Sequence, residues 1–143
     1  MDKLLVSACL LGTPCRYDGE SKPIAGMERL RERYELVSVC PECAGGLPTP
    51  RTPSERCGDR VIMRSGADVT AQYQRGAQYA LELCRKEGCA AALLKERSPS
   101  CGSGEIYDGT FTHTLIPGDG VTAELLKKNG IKVYGETELD ALL

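Results

Sequence analysis

Three of the chain's eight cysteines stand where a short apolar run gives way to a loop. Cys9 follows Leu4-Leu5-Val6, Cys40 follows Leu36-Val37-Ser38-Val39, and Cys101 comes soon after Ala90-Ala91-Ala92-Leu93-Leu94. If those runs are parallel strands of one sheet, three thiols far apart in sequence converge on one sheet edge. A metal or metal cluster held by only three thiolates there keeps one position open for chemistry. The single histidine, His113, makes a histidine-rich zinc site impossible. Iron–sulfur clusters, by contrast, take mainly cysteine thiolates.

Each cysteine motif also has a plainer reading. Cys9-Leu10-Leu11-Gly12-Thr13-Pro14-Cys15-Arg16-Tyr17-Asp18-Gly19 reads equally well as a surface turn with two free thiols. Arg16 suits a carboxylate or phosphate in bidentate fashion, or an internal salt bridge, and Lys22 reads as a solvated side chain. Cys40-Pro41-Glu42-Cys43 has the C-x-x-C spacing that serves zinc, redox exchange or a cluster. A redox pair normally opens a helix that lowers the thiol pKa. Here four prolines and two glycines between Cys40 and Pro53 predict a loop without helix, which argues against redox exchange. Glu42 is either a solvated charge or a general acid/base raised by partial burial and thiolate charge. In Ser98-Pro99-Ser100-Cys101-Gly102-Ser103-Gly104, small residues let the backbone approach an inorganic group and offer N–H and hydroxyl donors to sulfur. Its alternative is a polar loop whose serines cap backbone groups. Cys57, Cys84 and Cys89 read as structural, and His113 as a strand or surface histidine.

The elements that must position these residues follow from periodicity and punctuation. Strands are expected at Lys3 to Ala8, Tyr34 to Val39, Cys89 to Leu94 and Ile131 to Tyr134, with a small one within Asp59 to Ser65. Helices are expected at Glu28 to Glu32, from Val69 to about Lys86 with Asp68 as N-cap, from Thr122 to Lys128 after Gly118-Asp119-Gly120, and from Thr137 to Leu143. Gly76 weakens the long helix slightly. Alternating strands and helices imply parallel pairing. The expected fold is α/β, a single domain over residues 1–143 with an open, mostly parallel sheet and flanking helices in a Rossmann-like three-layer arrangement. Its site lies at the C-terminal ends of the strands.

Composition narrows the function classes. A chain of 143 residues fits one domain that buries roughly 68–70% of its unfolded surface without needing disulfides. Eighteen Lys+Arg against 20 Asp+Glu, without like-charge runs, point to neither a nucleic-acid arm nor a membrane patch. The N-terminal apolar stretch is too short for a signal peptide, and no segment reaches the roughly 18 apolar residues of a membrane span. A cytoplasmic protein is expected, in which cysteines serve metals or catalysis more than disulfides. A zinc nucleobase deaminase is excluded, because it needs H-x-E with P-C-x-x-C, whereas Thr114-Leu115 follow His113 and Val39 precedes Cys40. The three close cysteines of radical-SAM chemistry are absent as well.

Taken together, four segments resemble the thiouracil desulfurase family: Cys9-Leu10-Leu11-Gly12 with Arg16-Tyr17-Asp18-Gly19; Cys40-Pro41-Glu42 with Gly45-Gly46-Leu47; Pro50-Arg51-Thr52-Pro53; and Ser98-Pro99-Ser100-Cys101-Gly102. The resemblance covers nearly the whole chain, including Gly118-Asp119-Gly120-Val121-Thr122. It implies a [4Fe-4S] cluster bound by three cysteines, its fourth iron free to take the sulfur of a thiolated nucleobase. Carried onto this chain, the ligands are Cys9, Cys40 and Cys101. The catalytic pair is Glu42 and Ser98, with Ser100 as the alternative serine. Cys15 and Cys43 fall where the family pattern does not require cysteine, so either could substitute or add a ligand.

The implied reaction is non-redox C–S cleavage, turning a thiocarbonyl such as that of 2-thiouracil into a carbonyl with release of sulfide. Two further readings stay open. One is a non-catalytic zinc module closed by Cys40, Cys43 and two other cysteines. The other is a sulfurtransferase carrying persulfide on Cys43 or Cys15. The expected partner is a small thiolated nucleobase or nucleoside, since nearly balanced charge weighs against tRNA.

Overall fold

The computed structural model describes residues 1–143. In chain order its elements are β1 (Asp2–Ser7), α1 (Met27–Arg33), β2 (Tyr34–Val39), α2 (Pro41–Ala44), β3 (Ser54–Cys57), β4 (Arg60–Met63), α3 (Thr70–Glu87), β5 (Ala91–Leu94), β6 (Glu105–Tyr107), β7 (Leu115–Pro117), α4 (Val121–Lys128) and β8 (Val133–Gly135). Short 3₁₀ segments, Ala8–Leu11 and Glu136–Leu142, follow β1 and β8.

Leu4, Leu5 and Val6 of β1 are apolar in succession and fully buried. Such a strand needs cover on both faces, as parallel sheets provide. It is central in a four-stranded parallel sheet of order β2-β1-β5-β8. Because successive side chains point to opposite faces, Leu4, Val6 and Leu93 pack with Leu30 of α1 and Leu142 on one side. Leu5, Ala92 and Leu94 pack on the other, against Ala80, Leu81 and Cys84 of α3 and Ala123 and Leu126 of α4. The result is the expected three-layer α/β architecture.

Two local expectations are corrected, and one element is added. The loop after β2 opens with a helical turn, α2. Pro41 is its first residue, where a missing N–H costs nothing and the fixed φ suits the helix; the irregular chain resumes only after Gly45. Val69, not Asp68, is the N-cap of α3, but Asp68 still receives the Thr70 N–H and hydroxyl at 2.9 and 2.6 Å. Glu105 to Pro117, where no element was expected, forms an antiparallel hairpin, β6–β7, with His113 exposed in its tip, in line with the surface reading and not the strand one. Its strands of three residues are too short to show a period. The small strand expected near Asp59 to Ser65 is β4, paired antiparallel with β3.

Gly76 has a packing reason. A Cβ there would fall 1.9 Å from the Pro41 carbonyl oxygen, and one on Gly45 would fall 2.0 Å from that of Gln72. The two glycines let α2 and α3 meet backbone to backbone, which seats the turn bearing Glu42 on the longest helix. Alanine normally gains about 0.8–1 kcal/mol over glycine inside a helix. Here the sign should reverse: Gly76→Ala is expected to destabilise the fold by about 1–3 kcal/mol through overpacking. Urea unfolding measures this, and a stabilised variant would contradict the contact.

Candidate active site

β1, β2 and β5 are neighbours, with Ser7 opposite Val39 and Val6 opposite Leu93, so their C-terminal ends share one edge. Cys9 leaves β1 in the 3₁₀ turn, Cys40 leaves β2 as the N-cap of α2, and Cys101 stands in the loop after β5. All three line one cavity of about 500 Å³, together with Cys15, Glu42 and Ser98. Cys9, Cys15 and Cys101 are buried, and Cys40 is half-buried. Cys15, which had a reading as a free surface thiol, packs in the same apolar cluster as Cys9 and Cys40.

Burial helps to keep Cys15, Cys40 and Cys101 as neutral thiols. It pushes Cys101 up to about 12, and the nearby Glu42 charge adds to that. The contact with Cys15 raises Cys40, and burial adds to that. For Cys15 a hydrogen bond with Cys40 pulls down, but contact with Cys9 and burial outweigh it, to about 11. Metal binding displaces such protons.

Glu42 is clamped from two sides. Arg51 Nη2 and Nε donate to its Oε2 at 2.5 and 3.1 Å, and the Ser98 hydroxyl donates to Oε1 at 3.3 Å. Arg51, whose side chain is 3% exposed, also donates to the carbonyls of Cys15 and Pro48 at 3.2 and 3.1 Å. One guanidinium therefore ties together the first cysteine loop, the turn of α2 and the Pro-rich loop. Ser98 Oγ in turn accepts the N–H groups of Ser100 and Cys101, both at 3.1 Å, and so shapes the turn that carries Cys101. Tyr73 of α3 is 2% exposed and lines the cavity. Burial and the Glu42 charge hold its phenol well above the usual range, so it stays a neutral donor.

Ser100 does not share this role. It is 1% exposed and lies outside the cavity lining. Its hydroxyl pairs with Thr122 Oγ1 at 2.8 Å, and its carbonyl accepts the N–H groups of Thr122 and Ala123. Ser100 fastens the loop to the start of α4, and the serine facing Glu42 is Ser98. Arg16 makes no salt bridge and instead lies over the Tyr17 ring, 5.8 Å from its centroid. Sequence reading assigned no role to Arg51 or Tyr73. Arg51 carried the only signal, as a lone cation in a Pro-rich loop, and its partner is nine residues away through a turn the sequence conceals.

A family model described as 2-thiouracil desulfurase matches residues 4–138. The chain belongs to the 2-thiouracil desulfurase family. It is 42% identical over 150 residues to the uncharacterized protein YbbK of Bacillus subtilis (strain 168), covering 98% of this chain and 99% of that protein. A solved structure of a [4Fe-4S]-dependent thiouracil desulfidase, TudS, is 51% identical with a TM-score of 0.95, covering 99% of this chain and 95% of that one.

The donors in this desulfurase-family cavity suit an iron–sulfur cluster better than a single ion. No three cysteine, histidine or carboxylate side chains close on one ion position, whereas a cluster takes thiolates from separate loops onto separate irons. Cys43, needed for the zinc alternative, is exposed; its Sγ lies 3.4 Å from Thr49 Oγ1 and 3.9 Å from the Cys15 carbonyl, which the Cys40 Sγ approaches at the same distance.

The Arg51–Glu42 pair is largely buried, so deleting one partner strands the other charge. Arg51→Met should cost about 3–5 kcal/mol. Arg51→Met combined with Glu42→Met should recover part of that loss, read as coupling in a double-mutant cycle by urea unfolding. Additive losses would mean that the pair is not coupled.

Proposed function

We propose that this chain is a [4Fe-4S]-dependent, non-redox desulfurase that converts the thiocarbonyl of a thiolated pyrimidine such as 2-thiouracil to a carbonyl, with release of sulfide. Family membership and the similarity to TudS support the reaction class. One observation carries the assignment to this cavity: a carboxylate held between Arg51 and Ser98 faces a pocket lined by Cys9, Cys40 and Cys101. Those three cysteines would hold the cluster. When bound, it supplies a Lewis-acidic iron that polarises the substrate's thiocarbonyl sulfur.

The chain's own residues handle water and protons. With Oε2 engaged by Arg51, Glu42 keeps Oε1 toward Ser98 and the cavity. There it orients the water that adds to the thiocarbonyl carbon and takes its proton. The Ser98 hydroxyl holds Oε1 in place and can turn to the base's ring polar groups. The C–S bond breaks as the new C–O bond becomes the carbonyl. Water's two hydrogens end on the sulfide, and no electron is gained or lost. Glu42 and Ser98 are thus the catalytic residues, and residues 1–143 act as one unit. No helix is long and apolar enough to cross a membrane. We place the enzyme in the reducing cytoplasm, where thiolate-bound iron persists.

Protein reconstituted without oxygen should bind about four irons and four sulfides and absorb broadly near ~400 nm. Colourless protein holding one zinc would overturn the reading. Glu42→Gln should keep the cluster and lose roughly 10²–10⁴-fold in kcat; retained turnover would remove Glu42 from the mechanism. Ser98→Ala should lower turnover at normal cluster content. Ser100→Ala should instead cost stability, about 1–3 kcal/mol, with turnover near that of the parent. The reverse pattern in kinetics and unfolding would exchange the two serines.

A further inference from the structure

The β6–β7 tip, residues 108–114, is built at a conformational cost and takes no part in the chemistry above. Phe111 and His113 both adopt left-handed backbone, with φ of 59° and 58°. For a bulky side chain that is an outlier, held only where surroundings enforce it and concentrated at functional sites. The enforcing contacts are specific. The buried Glu55 of β3 accepts the N–H groups of Gly109 and Phe111 on one oxygen, Oε1, at 3.0 and 3.1 Å. A Cβ on Gly109 would meet the Cβ of Cys57 at 3.1 Å, so the tip lies directly on β3. Hydroxyl contacts from Asp108 through Thr110 and Thr112 to Thr114 brace it along its length.

This apparatus does not bury Phe111. The chain's one phenylalanine belongs to none of the core clusters, is half-buried, and lines the same cavity as the cysteines and Glu42. The guanidinium of Arg64 stands over its ring, 5.5 Å from the centroid. His113 is set by an edge-to-face contact with Tyr107 at 5.7 Å, and both line the cavity too. Aromatic rings and guanidinium planes are the surfaces on which nucleobases stack.

We propose that the β6–β7 tip is the stacking platform for the planar ring of the substrate, with Phe111 as the stacking residue and Glu55 as its positioning residue. The proposal rests on the desulfurase reading and deepens it. Stacking recognises the flat heteroaromatic ring, leaving the thiocarbonyl sulfur and carbon free to face the cysteines and Glu42. Strain at Phe111 keeps the ring out of the core and available to the ligand.

The test uses the reconstituted holoenzyme with 2-thiouracil as substrate and uracil, which lacks the sulfur, as competing ligand. Phe111→Leu should raise the KM for 2-thiouracil and the Ki for uracil on the order of 5- to 150-fold, with kcat little changed, and Phe111→Tyr should restore both. Glu55→Leu should weaken binding in the same way, and Glu55→Gln, which keeps an acceptor oxygen, should rescue it. Independently, the H5 and H6 proton signals of uracil should move upfield with the wild-type protein and much less with Phe111→Leu. Unchanged KM and Ki in folded Phe111→Leu, or no upfield shift with wild type, would overturn the platform. If Phe111→Leu fails to fold, the wild-type shift alone decides. If wild type shifts uracil yet does not desulfurate 2-thiouracil, the proposed reaction fails and the platform stands.

Discussion

The parallel pairing of β1 between β2 and β5 is the constraint on which the rest depends. Leu4, Leu5 and Val6 have no solvent-exposed face, so β1 folds only with strands at both edges and helices over both sides. Parallel strands all end at the same edge. That single fact carries Cys9, Cys40 and Cys101, separated by up to 92 residues of chain, to the rim of one cavity. An antiparallel arrangement would scatter them to opposite ends.

Around that edge, polar groups are arranged to be satisfied through one another. Arg51 is nearly inaccessible to water, and its donors go to Glu42 and to carbonyls of two separate loops. A buried cation with fewer partners would be costly. Ser98 works in both directions, accepting two backbone N–H groups and donating to Glu42. The loop bearing Cys101 and the turn bearing Cys40 are therefore coupled through a carboxylate. The close contact of α2 with α3, permitted by Gly45 and Gly76, holds that carboxylate at a set depth.

Much of the fold was legible because its signals are local. The strand Tyr34–Val39 stands where its apolar residues place it, and Gly88 closes α3 in left-handed backbone as its position suggested. What escaped depends on partners distant in sequence. Counting prolines after Cys40 argued against helix, yet Pro41 occupies the one helical position that tolerates it. Ser98 and Ser100 are indistinguishable as residues in a loop, and only α4, through Thr122, separates their roles. The β6–β7 hairpin gave no period, and its tip is shaped by Glu55 of another hairpin.

By itself the sequence determined the layered α/β plan, the strand ends that carry the three cysteines, and the family resemblance, since periodicity, punctuation and motif order are properties of the linear chain. Tertiary structure alone decided that Arg51 clamps Glu42, that Cys15 is buried with the cavity's cysteines while Cys43 is exposed, and that Phe111 is held in strained backbone beside them. Those outcomes depend on which side chains meet after the sheet closes, and contacts between residues far apart in sequence leave no local trace.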